Sequence, residues 1–118
     1  MKKFLLLAAL LLGSVSATFA ADHRVTVADF QFTPKTVNAR VGDTISWTWQ
    51  NGMHTTTSVT IPAGATAWNA PIDSSSTRFR IRLTVAGTYH YQCNFHFNIG
   101  MKGTIRVSAA GQGAENQQ

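Results

Sequence analysis

The sequence is poor in cysteine, in acidic residues and in helical apolar patterns. One cysteine and five acidic residues occur in 118 residues. A lone cysteine excludes an internal disulfide framework. The basic residues form no cluster interleaved with aromatic side chains, so we expect no nucleic-acid binding. No apolar stripe at helical spacing follows residue 20, which leaves β-structure as the main source of a core.

Residues 1–20 have the pattern of an export signal. Lys2 and Lys3 form a basic start, residues 4–12 an unbroken apolar run, and small residues suited to cleavage follow. The apolar run is shorter than the about 20 residues of a permanent membrane span, so we expect no stable membrane insertion. We predict a periplasmic mature chain of residues 21–118, in which eight basic and five acidic residues give a formal net charge of +3.

The remainder alternates between polar and apolar residues in short segments separated by turn residues. The predicted strands lie within residues 24–32, 36–41, 44–49, 78–85, 88–93 and 103–107. Proline, glycine and serine interrupt residues 58–76, where we expect loops and one short edge strand. About seven short strands predict an all-β, two-sheet β-sandwich over residues 21–108, followed by a disordered polar tail over residues 109–118.

One predicted strand carries a stripe of arginines. Arg78, Arg80 and Arg82 alternate with apolar residues and therefore point to the opposite sheet face. We interpret this stripe as a solvated face, with the alternative that it steers an acidic partner at long range.

A thiol, an imidazole and a thioether occur close together near the end of the chain. Cys93, His96 and Met101 have the spacing C-x2-H-x4-M. Soft sulfur ligands with imidazole favour copper over calcium or magnesium, and a site with two histidines, one cysteine and a weak axial methionine is typical of electron transfer. Taken alone, Cys93 would be a buried inert thiol or part of an intermolecular disulfide. The spacing instead predicts a copper site that lacks one histidine.

Three histidines are candidates for the missing ligand. His90 points away from the face that carries Cys93, and His23 lies two residues from the expected mature terminus, where we expect disorder. His54 follows a strand end and a turn, so it can lie beside the Cys93 loop at one end of the sandwich. We therefore select His54. Met53 is a weaker alternative to Met101 as the thioether.

These motifs together resemble a known family. The segments concerned are Gly42-Asp43-Thr44 to Trp49, then His54, then Gly87-Thr88-Tyr89-His90-Tyr91-Gln92-Cys93-Asn94-Phe95-His96, then Gly100-Met101-Lys102-Gly103-Thr104-Ile105. With them, nearly the whole mature chain resembles a cupredoxin of the plastocyanin-like group. The resemblance implies a Greek-key β-sandwich that holds one type 1 copper ion through His54, Cys93, His96 and Met101.

The resemblance also implies an activity. It implies a monomeric carrier of single electrons, not an enzyme, whose partners are redox proteins such as a c-type cytochrome or a copper oxidoreductase. Electrons would pass through His96, whose ring edge would lie in an apolar patch formed by residues such as Phe95, Phe97 and Ile99. After ligand assignment only two histidines remain, too few for the further copper centres of a multicopper enzyme.

The chain departs from the family pattern at two positions. Thr55 follows the first histidine, where plastocyanins and azurins commonly have an asparagine that joins the two ligand loops; we expect the hydroxyl to do part of that work. Gln92 precedes Cys93, where plant plastocyanins have tyrosine, and the chain has no acidic cluster. Two other functions stay open: a copper carrier that transfers the ion, and a metal-free adhesion sandwich dimerised through Cys93.

Overall fold

The computed structural model describes residues 19–110 as nine β-strands and one short 3-10 helix. The strands are β1 (Asp22–Ala28), β2 (Gln31–Thr33), β3 (Thr36–Arg40), β4 (Thr44–Trp49), β5 (His54–Thr60), β6 (Asn69–Ile72), β7 (Arg78–Arg82), β8 (Gly87–Gln92) and β9 (Lys102–Ser108), and the 3-10 helix is Phe97–Ile99. The predicted export signal and polar tail lie almost entirely outside the described residues. Among the described residues, no helix is long and apolar enough to cross a membrane.

The strands form two sheets that pack face to face. One sheet has the order β2-β1-β4-β7 and the other β3-β9-β8-β5-β6. Each sheet is mixed, because β1 pairs with β4 and β3 with β9 in parallel while the other pairs are antiparallel. The inward residues of both sheets are buried; they include Val25, Ile45, Trp47, Tyr91 and Ile105. The predicted all-β sandwich is thus confirmed.

The structure corrects the predicted course of the chain in three places. Residues 24–32 form two strands, because the chain turns at Asp29 and β2 folds back onto β1 with Gln31 opposite Ala28. Residues 54–60 form β5, although loop was predicted from residue 58 onward and no strand was predicted over residues 54–57; the run of β-branched threonines suits a strand. The strand predicted over residues 78–85 ends at Arg82.

Other parts of the predicted course are confirmed. β6 is the short edge strand expected in the irregular middle of the chain. Arg78, Arg80 and Arg82 are exposed on β7, the edge of the four-stranded sheet. In the described part of the chain, no carboxylate lies within 4.0 Å of these arginines. Whether this face steers a partner stays a prediction.

The topology brings several strand ends to one end of the sandwich. β1 and β4 run parallel and both end there, β8 ends there, and β5 and β9 begin there. The turn between β1 and β2, the turn before β5 and the loop between β8 and β9 therefore meet at this end. The predicted ligand residues all lie in these connections or at the strand termini next to them.

Candidate metal centre

Three metal-ligating side chains converge at this end of the sandwich. One nitrogen of His54, the sulfur of Cys93 and one nitrogen of His96 all lie within 4.8 Å of one another. Cys93 Sγ is 3.7 Å from His54 Nδ1 and 3.5 Å from His96 Nδ1. His54 and Cys93 are fully buried, whereas His96 is partly exposed. The tertiary structure thus assembles the three residues that the sequence selected as nitrogen and thiolate ligands.

The spacing of these atoms fits one bound metal ion. Donors that bind one ion at about 2.0 to 2.3 Å, with angles between tetrahedral and trigonal, stand about 3.5 to 3.8 Å apart. The two nitrogen–sulfur distances lie in that range. A thiolate with two imidazoles is a donor set that suits copper or zinc and does not suit calcium or magnesium.

Met101 lies beside this cluster and is fully buried. Its backbone N–H donates to the carbonyl of His96 at 3.2 Å, and its carbonyl accepts from the N–H of Cys93 at 3.0 Å. Cys93 and Met101 belong to the same buried apolar cluster. Met53, the competing thioether, is 63% exposed, which disfavours it as a ligand.

The loop from Cys93 to Met101 is held by its own backbone hydrogen bonds. The N–H of His96 donates to the carbonyl of Cys93 at 3.2 Å, and the N–H of Ile99 donates to the carbonyl of His96 at 3.1 Å. Gly100 then adopts a left-handed conformation with φ of 92°, which suits a residue without a side chain. These backbone hydrogen bonds and the turn at Gly100 therefore help to fix the shape of the loop.

Thr55 links the two parts of the site. The backbone N–H of Asn94 donates to Thr55 Oγ1 at 2.9 Å. Thr57 Oγ1 lies 2.9 Å from Thr55 Oγ1 and donates to Asn69 Oδ1 at 2.8 Å, so the Thr55 hydroxyl donates to Thr57. The expectation that this hydroxyl joins the two ligand loops is confirmed.

His54 is also held on the side away from Cys93. Its Nε2 lies 2.9 Å from the carbonyl oxygen of Asn51, which accepts the ring N–H. This hydrogen bond leaves Nδ1 as the atom with a lone pair directed toward Cys93. The carboxylate of Asp29 lies beside the same nitrogen, with Oδ1 at 3.0 Å. Asp29 was not predicted from the sequence, because a lone acid in a turn carries no local signal of a contact with a histidine 25 residues away.

Two exposed aromatic side chains lie beside the ring of His96. Phe30 contacts the ring edge-on with 4.7 Å between centroids, and Phe95 lies at 6.3 Å. We call the exposed apolar residues at this end the apolar patch; its members are Phe30, Met53, Phe95, Phe97 and Ile99. The expected contact of Phe95 with His96 is present, and Phe97 and Ile99 are exposed in the same loop. Phe30, from the missed turn between β1 and β2, is an addition that the structure supplies.

The two remaining histidines lie elsewhere. His90 is exposed on the outer face of β8, with Nδ1 3.3 Å from Thr104 Oγ1, as alternation predicted. The expected disorder at His23 is wrong: this residue lies in β1, and its Nε2 is 2.9 Å from Asp43 Oδ2. His23 is near the start of β1, about 20 Å from the end that carries the metal site.

Comparison with known proteins agrees with this site. The sequence profile of copper-binding proteins of the plastocyanin/azurin family matches residues 20–108. A plastocyanin from Scenedesmus fuscus is 37% identical over 87 residues, which cover 64% of this chain and 85% of that protein. A pseudoazurin structure from Sinorhizobium meliltoi has a TM-score of 0.66 and 28% identity, covering 75% of this chain and 74% of its own. The structure of a reduced amicyanin mutant has a TM-score of 0.63 and 26% identity, and the match covers 80% of this chain and 95% of the amicyanin chain.

The two-sheet sandwich with a cysteine and two histidines at one end defines a cupredoxin. More narrowly, this chain belongs to the plastocyanin/azurin family of copper-binding proteins.

Proposed function

We propose that this protein is an exported electron carrier that holds one copper ion through His54, Cys93, His96 and Met101. The observation that carries the proposal is the convergence of two imidazoles and a buried thiol at ligand distances in one end of a β-sandwich. When bound, copper supplies a one-electron couple that these side chains alone lack.

The ligand charges suit electron transfer. Two neutral imidazoles and one thiolate leave a net charge of about +1 or 0 in the two oxidation states, so neither state buries a large uncompensated charge. The loop is already shaped by backbone hydrogen bonds, and Thr55 holds it against β5. These restraints limit the change in ligand positions between the two states, which favours rapid transfer.

The apolar patch is the proposed docking surface for redox partners. His96 is the partly exposed nitrogen ligand, and its ring edge lies among Phe30 and Phe95. A partner that covers this patch would exclude water and approach the site through the His96 ring. A c-type cytochrome or a copper oxidoreductase is the proposed partner class, with the carrier acting as a monomer that performs no substrate chemistry.

The proposed mature chain starts at Ala21, after cleavage of the signal. The backbone nitrogen of Ala21 lies 2.9 Å from Asp43 Oδ1, and the buried Asp43 also binds His23. A chain that begins at Ala21 would keep this contact and would place its terminal ammonium on the carboxylate. N-terminal sequencing of the protein from a periplasmic extract tests the proposed cleavage site and the proposed location together.

The burial of the site argues against the other functions considered. Cys93 has no exposed surface, which opposes an intermolecular disulfide and therefore the adhesion dimer. His54 is equally buried, whereas transfer of the ion to another protein requires ligands that a partner can reach. Electron transfer needs only the edge of His96.

The test is the visible spectrum of residues 21–118 with added Cu(II), compared with Cys93→Ser. We expect an intense blue thiolate-to-copper band that ascorbate bleaches and ferricyanide restores, and no such band in Cys93→Ser. Copper binding without the band would contradict the electron-carrier proposal and favour ion transport.

A further inference from the structure

A carboxylate lies against the buried histidine of the site. Asp29 Oδ1 is 3.0 Å from His54 Nε2, on the side of the ring opposite the atom that faces Cys93. The ring N–H is directed at the carbonyl of Asn51, so the carboxylate acts through its charge and does not replace that hydrogen bond. His54 is fully buried, whereas the Asp29 side chain is 43% exposed. A carboxylate at the protein surface therefore lies in contact with the buried ring of His54.

The surrounding backbone is shaped to allow this contact. Gly52 lies between Asn51 and the ring, and a Cβ on it would overlap Asp29 Oδ1 and come within 2.5 Å of His54 Nε2. Asn51 Oδ1 accepts the backbone N–H of Asp29 at 2.9 Å, which holds the two turns together. The Trp49 indole N–H donates to the carbonyl of Gly52 at 2.7 Å and fixes that turn in place.

The carboxylate of Asp29 is paired with no lysine or arginine side chain in the part of the chain that the structure describes. Within residues 19–110, no lysine or arginine nitrogen lies within 4.0 Å of this carboxylate. The metal site carries one more positive charge when it is oxidised than when it is reduced. A negative charge behind a metal-ligating imidazole therefore favours the oxidised state, through Coulomb attraction and a more basic ligand.

We propose that Asp29 is a positioning residue that lowers the reduction potential of the site through His54. This inference rests on the proposed copper site and goes beyond it, because it assigns the control of the potential to a residue that binds no metal. The hydrogen bond to Asn51 fixes which ring nitrogen of His54 carries the proton, and the carboxylate of Asp29 places a negative charge beside that ring.

The experiment measures the reduction potential of the copper-loaded wild-type chain and of Asp29→Asn by redox titration of the blue band. We expect Asp29→Asn to shift the equilibrium toward the reduced form by about tenfold, which is about 59 mV for a one-electron couple. Asp29→Glu, which keeps the charge, should stay close to the wild-type potential. Asp22→Asn is the matched control, because it removes the same charge from an exposed position at the other end of β1.

Three results would overturn the inference. One is a shift in Asp29→Asn of less than about threefold, and another is an equal shift in Asp22→Asn, which would indicate an effect of net charge alone. The third is loss of the blue band in a folded Asp29→Asn, since Asp29 would then hold the site together instead of tuning it. Failure of the proposed function looks different: the wild-type protein itself would lack the band, which overturns both conclusions.

Discussion

The hydroxyl of Thr55 accepts a 2.9 Å hydrogen bond from the backbone N–H of Asn94. Each residue directly follows a proposed ligand, His54 in one case and Cys93 in the other, so one bond joins segments 39 residues apart. The bond does not depend on a metal. It therefore aligns the two segments that carry His54 and Cys93.

Replacement of Thr55 by valine should loosen this alignment. Valine keeps the shape and the β-propensity of threonine but leaves the Asn94 N–H and the Thr57 hydroxyl without their partner. We expect the free energy of unfolding to fall by about 1 to 2 kcal/mol, measured by urea denaturation of the copper-free protein. Thr55→Ser, which restores the hydroxyl, is the control. Equal stability of the valine and serine variants would contradict the proposed link.

Substitution of Gly52 by alanine should damage the site more than substitution of another glycine with similar backbone geometry. Gly52 has φ of 84° and Gly42 has φ of 101°, so alanine is strained at both positions. A Cβ meets nothing within 4 Å at Gly42 but overlaps Asp29 and His54 at Gly52. We expect Gly52→Ala to lose about 1 to 3 kcal/mol more stability than Gly42→Ala and to displace the blue band. Equal losses of stability in the two variants would indicate that backbone strain alone, and not the overlap with Asp29 and His54, causes the destabilisation.

Asp43 should make stability depend on acid pH. Burial alone would raise the pKa of Asp43, but hydrogen bonds from the Ala21 N–H, the His23 ring and the Arg40 N–H, with the charge of His23, hold it below the ordinary value of 3.8. The unfolded state therefore takes up the proton first as the pH falls. The stabilisation is complete above pH 3.8 and is lost as the pH falls through the lower folded-state pKa.

Asp43→Asn tests this pH dependence. We expect this variant to be less stable at neutral pH by about 1 to 3 kcal/mol, because buried donors lose a charged acceptor. Its urea midpoint should also change less than that of the wild type below pH 3.8. Asp22→Asn, at an exposed carboxylate with one hydrogen bond from Ser46, is the control and should keep the wild-type profile. An unchanged profile in Asp43→Asn would contradict the assignment.

Removal of copper should lower the melting temperature without unfolding the sandwich. A ligand that binds only the folded state adds about 2.7 kcal/mol when its free concentration is a hundredfold above Kd. The backbone hydrogen bonds from Cys93 to Met101 do not involve the metal, so the circular dichroism of the apo-protein should match that of the loaded protein. Scanning calorimetry with and without a chelator measures the difference, and Cys93→Ser should respond much less. No shift in the wild type would contradict a site formed by the folded chain.

Local patterns were sufficient to predict much of the fold and to select the proposed metal ligands. Period-2 alternation predicted the all-β class and the outward arginines of β7, since the faces of a strand depend only on parity. It also placed His90 away from Cys93. The spacing of Cys93, His96 and Met101 indicated copper, because the donor types themselves select the metal.

The predictions from sequence were wrong where the structure depends on contacts between separate segments of the chain. Sequence reasoning joined β1 and β2 into a single strand, because a turn and its pairing are not visible in the alternation. It also predicted no strand over β5, whose pairing partner β8 lies far away in the chain. It expected His23 to be disordered, although Asp43, 20 residues later, holds it in place.

Alternation and residue type are properties of short segments, so they were enough to predict the class of fold and the donor chemistry. Which side chains surround those donors depends on contacts between segments that are far apart in the chain. Asp29 and Phe30 reach His54 and His96 because β1 ends beside the start of β5 and the Cys93 loop, a proximity that no local pattern contains. The proposed metal ligands are thus predictable from donor type and spacing, whereas the charge and the apolar surface around them arise from the packing of the two sheets.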